Sequence, residues 1–450
     1  MTSSSPNMAA PSPSTPPPAR EPPSLSNYRW ARTLYLARKT MKRQILFVDD
    51  DSNLLQGLRR MLRPMRTQWE MAFANSGQEA LEMLSRSRFD VIVSDVRMPL
   101  MDGVELLTHI QKHYPHMVRI LLSGQTSSEK IFDAVGPAHQ YLAKPCDAET
   151  LKATIERACA LGDLLSDDNL KQVVSRVNTM PSCPSLYLQL RDELAQEDAS
   201  IEAVSHIISR DVGMTAKILK LVNSAFFGLP RHISNPGEAV LYLGLETVKT
   251  LVLGVQIFQQ LENSACQKFS CDTLLTHSLL VAEYAKKLCQ LATGDTRMQE
   301  DSFTAGFLHD VGILILATQI PELYQQILSY GETHLGSSFV EAERDILKAT
   351  HAEIGAYLLG LWGLRNSIVE AVAYHHNPSR NIGQTLCPLV FVHIANVFAD
   401  EVHNGYPVEG SHSQLDAGYL GRLGLADSVP IWREQLTCVS PVTANPLEAE

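Results

Sequence analysis

A chain of 450 residues has room for two or three domains, each with its own core. Its balance of 45% hydrophobic and 19% charged residues is ordinary for a globular protein, and a net charge of −11 argues against a broad nucleic-acid surface, which needs clustered basic residues. No apolar run approaches the length of a membrane span, and the first residues lack the apolar stretch of a secretory signal, so a cytoplasmic location with no membrane partner is expected.

The first forty residues are rich in Ser, Pro and Ala, with Pro16-Pro17-Pro18 and Pro22-Pro23. Such a segment buries too little apolar surface to offset the entropy of ordering it, so residues 1–40 are expected to be a disordered extension. Residues 28–40 turn basic and aromatic, which suits a short helix or a solvated tail. Met41 immediately precedes the first strand pattern, so a natural chain beginning there is one expectation. Mass spectrometry of the N-terminus tests it, and a peptide from residues 1–40 would refute it. The eight cysteines are scattered without a C-x-x-C pair, and they read as reduced thiols rather than a disulfide framework or zinc ribbon.

Between 41 and 162 strand and helix patterns alternate. Ile45–Val48, Met71–Ala74, Val91–Val93, Arg119–Leu122 and Gln140–Ala143 read as strands. Ser52–Arg63, with Leu54, Leu55, Leu58 and Leu62 on one face, reads as an amphipathic helix; further helices are predicted over Gly77–Ser85, Gly103–His113 and Asp147–Leu161. The alternation predicts an α/β fold, a doubly wound five-stranded parallel sheet. Residues 163–170 are polar and read as a linker. From 171 to about 405 the apolar residues keep helical spacing, as in Ile201, Val204, Ile207 and Ile208. No strand alternation is visible there, so this multidomain chain is expected to continue as an all-α domain. Residues 406–450 are less periodic and read as its C-terminal extension.

An open parallel sheet brings its strand ends to one edge. Asp49 and Asp50 follow the first strand, Asp95 the third, Ser123 the fourth and Lys144-Pro145 the fifth. Three carboxylates on one edge repel one another and call for a hard divalent cation. Mg²⁺ accepts such ligands and leaves room for a phosphoryl oxygen. Asp95 can then act as a nucleophile toward a phosphoryl donor, with the metal and Lys144 neutralising charge. Each residue alone is equally well a turn or a cap; the signal is the set in this order.

The segments Ile45–Asp51 (ILFVDDD), Phe89–Gly103 (FDVIVSDVRMPLMDG), Ile120–Gly124 (ILLSG) and Tyr141–Pro145 (YLAKP) resemble the flavodoxin-like receiver domains of two-component response regulators. The resemblance implies that Asp95 accepts a phosphoryl group from a sensor histidine kinase. It implies Mg²⁺ ligation by Asp50, Asp95 and the Arg97 carbonyl, with Asp49 acting through water. Ser123 and Lys144 would hold the phosphoryl group, Tyr141 would be the aromatic switch, and the Lys144–Pro145 peptide would be cis.

His277, His309, His351, His375, His376 and His393 fall in the helical half, and His309-Asp310 closes an apolar run. A lone helical histidine is more often structural. Adjacent His and Asp at a helix end can nevertheless ligate one metal or bridge two, with imidazoles arriving from neighbouring helices. The order His277, His309-Asp310, His351, His375-His376 resembles the HD superfamily of metal-dependent phosphohydrolases. Met180–Leu188 (MPSCPSLYL), Ile207–Gly228 (IISRDVGMTAKILKLVNSAFFG), Phe303–Gly312 (FTAGFLHDVG), His351–Trp362 (HAEIGAYLLGLW) and Tyr374–Pro378 (YHHNP) resemble more narrowly the HDOD domain, a relative regarded as mostly non-enzymatic.

The resemblance implies an iron or manganese site at His277, His309, Asp310, His351, His375 and His376. Three departures weigh against catalysis. Related cyclic-di-GMP phosphodiesterases follow the His-Asp pair with Gly-Lys, whereas Ile313 follows Gly312 here. Asn377-Pro378 follows the paired histidines in place of a further signature. The closing aspartate of HD sites falls near Asn396, and an amide is the poorer ligand. Together these readings predict a response regulator that binds downstream signalling proteins through a mostly non-catalytic output domain. The alternative is a receiver-gated HD-type phosphohydrolase acting on cyclic dinucleotides. No nucleic-acid partner is expected, because no basic recognition helix is visible. Oligomeric state is left open, a homodimer included.

Overall fold

The computed structural model describes residues 42–123, 137–161, 164–165, 167–177, 180–196, 198–224, 231–254, 258–260, 269–334, 338–381, 385–402 and 414–437. The expected N-terminal extension and Met41 lie outside them.

The first unit runs β1 (Arg43–Val48), α1 (Ser52–Met61), β2 (Trp69–Ala74), α2 (Gly77–Arg86), β3 (Val91–Asp95), α3 (Gly103–His113), β4 (Val118–Ser123), β5 (Gln140–Ala143) and α4 (Ala148–Leu161). The strands pair in parallel in the order β2-β1-β3-β4-β5, the five-stranded sheet expected. Successive side chains take opposite faces. Ile45, Phe47, Val91, Val93, Ile120 and Leu122 share a core with Leu151 and Ile155 of α4. Leu46, Val48, Ile92 and Leu121 instead meet Ala80 and Leu84 of α2 and Leu106, Leu107 and Ile110 of α3. Burial on both faces is why β1 and β3 are continuous apolar runs. Asp51 caps α1 by accepting from the Asn53 and Leu54 amides, and Asp102 with Glu105 forms a capping box on α3.

Among the described residues, the stretch read as a linker is partly packed into the core. Leu164 and Leu165 are buried in the shared core, and α5 (Asp168–Ser175) starts within the stretch read as a linker. There follow β6 (Met180–Ser182), α6 (Pro184–Ala195), α7 (Ile201–Ser209), α8 (Val212–Val222), α9 (Pro236–Leu243), α10 (Leu245–Lys249), a π-type turn over Thr250–Gly254 and β7 (Phe258–Gln260). Next come α11 (Cys271–Ala292), α12 (Thr296–Leu308), α13 (Val311–Gln319), α14 (Pro321–Thr333), α15 (Phe339–Leu347), α16 (His351–Leu361), α17 (Asn366–Tyr374), α18 (Pro388–Val402), α19 (Ala417–Arg422) and α20 (Ser428–Thr437).

Two findings correct the sequence reading. β6 and β7 pair in parallel, so this unit is mostly helical rather than all-α. Strands of three residues are too short to display an alternation. Cys183 and Cys271 form a disulfide with Cα atoms 5.7 Å apart, against the expectation of eight reduced thiols. The fold joins two cysteines 88 residues apart, a pairing that no local spacing announces. Among the described residues no single helix is long and apolar enough to cross a membrane; α12–α13 and α14 pass such a test only as a pair bent by 113°.

The two units meet along α4, β4 and β5. A Cβ on Gly360 of α16 would lie 2.3 Å from the Leu161 side chain, so that glycine lets α4 seat against α16. Arg119 of β4 is fully buried and donates to the carbonyls of Pro137 at 2.6 Å and Ser175 of α5 at 2.9 Å. The Gln140 amide donates to the Gly360 carbonyl at 3.2 Å, and Lys220 of α8 to the Ala138 carbonyl at 3.2 Å.

Candidate phosphorylation site and metal centre

Asp95 is the last residue of β3 and only 8% exposed. It can sit there because α3 begins directly against the strand end: a Cβ on Gly103 would lie 1.9 Å from the Asp95 carbonyl oxygen. Asp95 Oδ2 accepts the Arg97 amide at 2.7 Å, and Oδ1 pairs with the Lys144 ammonium. Asp49, buried at the end of β1, receives the same ammonium on Oδ2 at 2.6 Å and the Asp51 amide on Oδ1 at 3.0 Å. One lysine thus bridges two carboxylates from different strands. Burial alone would lower the Lys144 pKa, but its bonds to Asp49 and Asp95 outweigh that and hold it above the ordinary lysine range.

Asp50 is exposed beside this pair, Arg97 is exposed with its amide on Asp95, and Ser123 ends β4 in register with Ala143. Tyr141 is buried on β5, and burial pushes its hydroxyl pKa up. The Lys144–Pro145 peptide is cis. The donor set suits Mg²⁺: two hard carboxylates already converge on one cationic group, and a divalent ion competing with Lys144 would find the Arg97 carbonyl and Asp50 close by in sequence.

In the helical unit Asp310 sits at the α12–α13 junction, 3% exposed. Its Oδ2 lies 3.1 Å from His309 Nε2 and 3.9 Å from His277 Nε2 of α11. Its Oδ1 lies 3.2 Å from His351 Nε2, at the start of α16, and 3.7 Å from His375 Nε2, after α17. His376 Nε2 is 3.0 Å from His351 Nε2. The junction is tight, since a Cβ on Gly312 would lie 2.0 Å from the His351 carbonyl oxygen.

The rings are oriented from behind. His309 Nδ1 donates to the Gly306 carbonyl at 2.7 Å and His375 Nδ1 to the Val372 carbonyl at 2.8 Å. His351 Nδ1 meets Glu343 Oε2 of α15 at 2.8 Å, and its backbone amide donates to Oε1 at 3.1 Å. A carbonyl only accepts, so Nδ1 of His309 and His375 carries the proton, and Nε2 faces the centre. His309 Nε2, His375 Nε2 and Asp310 Oδ1 are buried without a hydrogen bond. Such atoms, with ring nitrogens fixed from behind, are what a cation would satisfy.

The cluster's own charges shift its titration. Burial would raise the Asp310 pKa, but His309 and His351 hold it well below the usual carboxylate range. Burial and neighbouring imidazoles keep His375 and His376 well below the ordinary histidine value. Burial pulls His351 down, whereas the Glu343 and Asp310 carboxylates push it up to about 10. His393 stands apart: its Nδ1 meets the His375 carbonyl at 2.7 Å and its Nε2 accepts the Asp416 amide at 3.0 Å, so both nitrogens are used in holding the C-terminal helices.

The family model for the response regulator receiver domain matches residues 45–156, and that for the HDOD domain matches residues 180–378. The chain carries a response regulator receiver domain followed by an HDOD domain. An uncharacterised protein of Treponema pallidum is 27% identical over 214 residues, covering 46% of this chain and 39% of that one. The transcriptional regulatory protein GlrR of Escherichia coli K12 is 35% identical over 161 residues, 35% of this chain and 34% of that one. The chain therefore spans little more than a third of the length of these curated relatives. Among solved structures, the receiver domain of an HD domain-containing protein from Pseudomonas fluorescens Pf-5 is 31% identical and is covered to 98%, against 27% of this chain, at TM-score 0.26. The MmoQ response regulator of Methylococcus capsulatus is 22% identical, with 57% of this chain and 98% of that one covered, at TM-score 0.43.

Within the receiver–HDOD chain several contacts carry no signal in the sequence. Glu343 was not singled out because its helix reads as a solvated amphipathic one; only the fold turns it onto His351. Arg119 read as an ordinary strand residue. Asn396 was located by order alone, and its Oδ1 lies 3.0 Å from His277 Nε2. Asp400, one turn further along α18 and 1% exposed, carried no motif.

Proposed function

We propose that this protein is a cytoplasmic bacterial response regulator, phosphorylated on Asp95 by a sensor histidine kinase and signalling through an HDOD domain that binds other signalling proteins. The observation that carries the reading is the Lys144 ammonium held between the Asp95 and Asp49 carboxylates at the sheet edge. Mg²⁺ would be held by Asp49, Asp50, Asp95 and the Arg97 carbonyl, and when bound it supplies charge neutralisation for a phosphoryl group. An Asp95 carboxylate oxygen then attacks the phosphorus of the kinase's phosphohistidine as the P–N bond breaks and the imidazole leaves, and Lys144 shifts its charge from the carboxylates to the phosphoryl oxygens, with Ser123 as hydroxyl donor. Tyr141 is the neighbour of Gln140, which reaches the HDOD helix α16. That adjacency supports a route from phosphorylation to the output domain. Incubation with a small-molecule phosphodonor and Mg²⁺ is expected to add one phosphoryl group to the wild type and none to Asp95→Asn; equal labelling of the variant would overturn the assignment.

In the HDOD domain an iron or manganese ion would be held around Asp310 by its imidazole neighbours. A second reading, a receiver-gated phosphohydrolase of the HD type, is favoured by that cluster alone. Turnover of a cyclic dinucleotide with Mn²⁺, lost on combined His309→Ala and Asp310→Ala substitution, would replace the binding output by catalysis.

A further inference from the structure

Asp310 divides its ligand atoms into two groups, each with all members within 4.8 Å of one another: Asp310 with His351, His375 and His376, and Asp310 with His277 and His309. We infer that the HDOD cluster takes one divalent transition-metal ion, on the His351 side of Asp310, and that Asn396 is the residue that excludes a second. The inference rests on the metal reading proposed above and adds number, position and cause.

The His351 side is complete: its one internal contact, His351 Nε2 to His376 Nε2 at 3.0 Å, joins two ligand atoms of the same group, which one shared ion would replace. It offers one carboxylate and three imidazoles, a four-ligand set suited to a borderline divalent transition metal. Two of those rings are fixed from behind, His351 by Glu343 and His375 by the Val372 carbonyl, which is the support that ligating imidazoles need. Glu343 also places a fully buried carboxylate against this side, offsetting the charge of a bound ion.

The opposite side stops at three ligands, and one of them is engaged. Asn396 Oδ1 lies 3.0 Å from His277 Nε2, the ring atom that faces Asp310. Whichever way the amide is turned, that nitrogen is committed: it donates to the oxygen or accepts from the amide N–H. A second dication here would share Asp310, the one carboxylate of both groups, in a fully buried site. Asp400 Oδ1 comes to 4.0 Å of His277 Nε2 but lies outside the set of mutually close ligand atoms. A lone ion has no partner with which to polarise a shared water from two sides, the arrangement two-metal hydrolysis uses. The chemistry therefore favours a structural or sensing ion over a hydrolytic pair.

The test is the metal content of the full-length protein, stripped with chelator and reloaded with Mn²⁺ in excess Mg²⁺, which occupies the receiver. Mass spectrometry is expected to find one Mn²⁺ per chain, and electron paramagnetic resonance a single uncoupled ion. Asn396→Asp is expected to raise the count to two with an exchange-coupled signal, and Asp400→Asn to leave it at one. Two coupled ions in the wild type, a drop in Asp400→Asn, or a count of one in folded Asn396→Asp would each overturn the inference. If Asn396→Asp does not fold, the wild-type count and the Asp400→Asn control still decide. No bound ion at all would defeat the underlying metal reading as well.

Discussion

Lys217 and Lys220 lie within α8, every residue of which is buried, and both ammonium groups stand over the Trp362 ring, at 5.4 and 5.0 Å from its centroid. Burial drives the Lys217 pKa from 10.5 down to about 8. A folded-state pKa below the unfolded one gives stability that is present above the unfolded value and is lost as pH falls through the folded value. Between pH 10.5 and 8 the fold should therefore lose about 3 kcal/mol through Lys217, and Lys217→Met should lose correspondingly less over that window in denaturant titrations. Glu343 allows a second residue-scale prediction. Glu343→Ala should weaken metal binding about 10–100-fold in competition with a chromophoric chelator, because His351 loses its orienting carboxylate. Asp95, Lys144 and the histidines stood out in the sequence because chemistry-bearing residues recur at strand and helix ends. Glu343, Lys217 and Arg119 did not, since a charged residue in a helical or strand pattern is ordinarily solvated, and only packing shows otherwise.

At the scale of elements, the parallel sheet was legible because strands buried on both faces must be apolar throughout, and the caps on α1 and α3 mark their own starts. The β6–β7 ladder was not, and neither was the contact of α13 with α16. That contact depends on Gly312, whose missing side chain lets the two helix N-termini touch. Gly312→Ala places a methyl group on the His351 carbonyl, a backbone atom that cannot swing aside. It should destabilise the HDOD domain by about 3 kcal/mol or more in thermal melts and displace His351 from the cluster. Gly360 faces the flexible end of Leu161 instead, so Gly360→Ala should cost less and act mainly on the seating of α4.

For the whole molecule, the polar stretch reads as a linker, and the structure joins the two units through one apolar core and a seam of buried donors. Polarity suggests a spacer at 163–170, but its three leucines, Leu164, Leu165 and Leu170, are buried. Arg119→Met should leave the Pro137 carbonyl without its donor and the Ser175 carbonyl with His139 Nε2 alone, at 3.2 Å, and cost about 1–3 kcal/mol. Hydrogen exchange should then quicken in α4 and α5 while the sheet stays protected.

Helix α16 is 11 residues long; it begins at His351 in the Asp310 cluster and ends beside the Gly360 carbonyl that Gln140 holds. Over roughly 16 Å it is a stiff rod with one end in each domain. If the rod shifts when the receiver changes state, equilibrium thermodynamics requires the traffic to run both ways. Whatever factor the HDOD metal adds to the receiver's affinity for a non-covalent phosphoryl mimic such as beryllofluoride, the mimic must add to the affinity for the metal. The supply of a trace metal would then set how readily the receiver stays switched on, and the proposed response to a kinase would report on metal availability through the same helix.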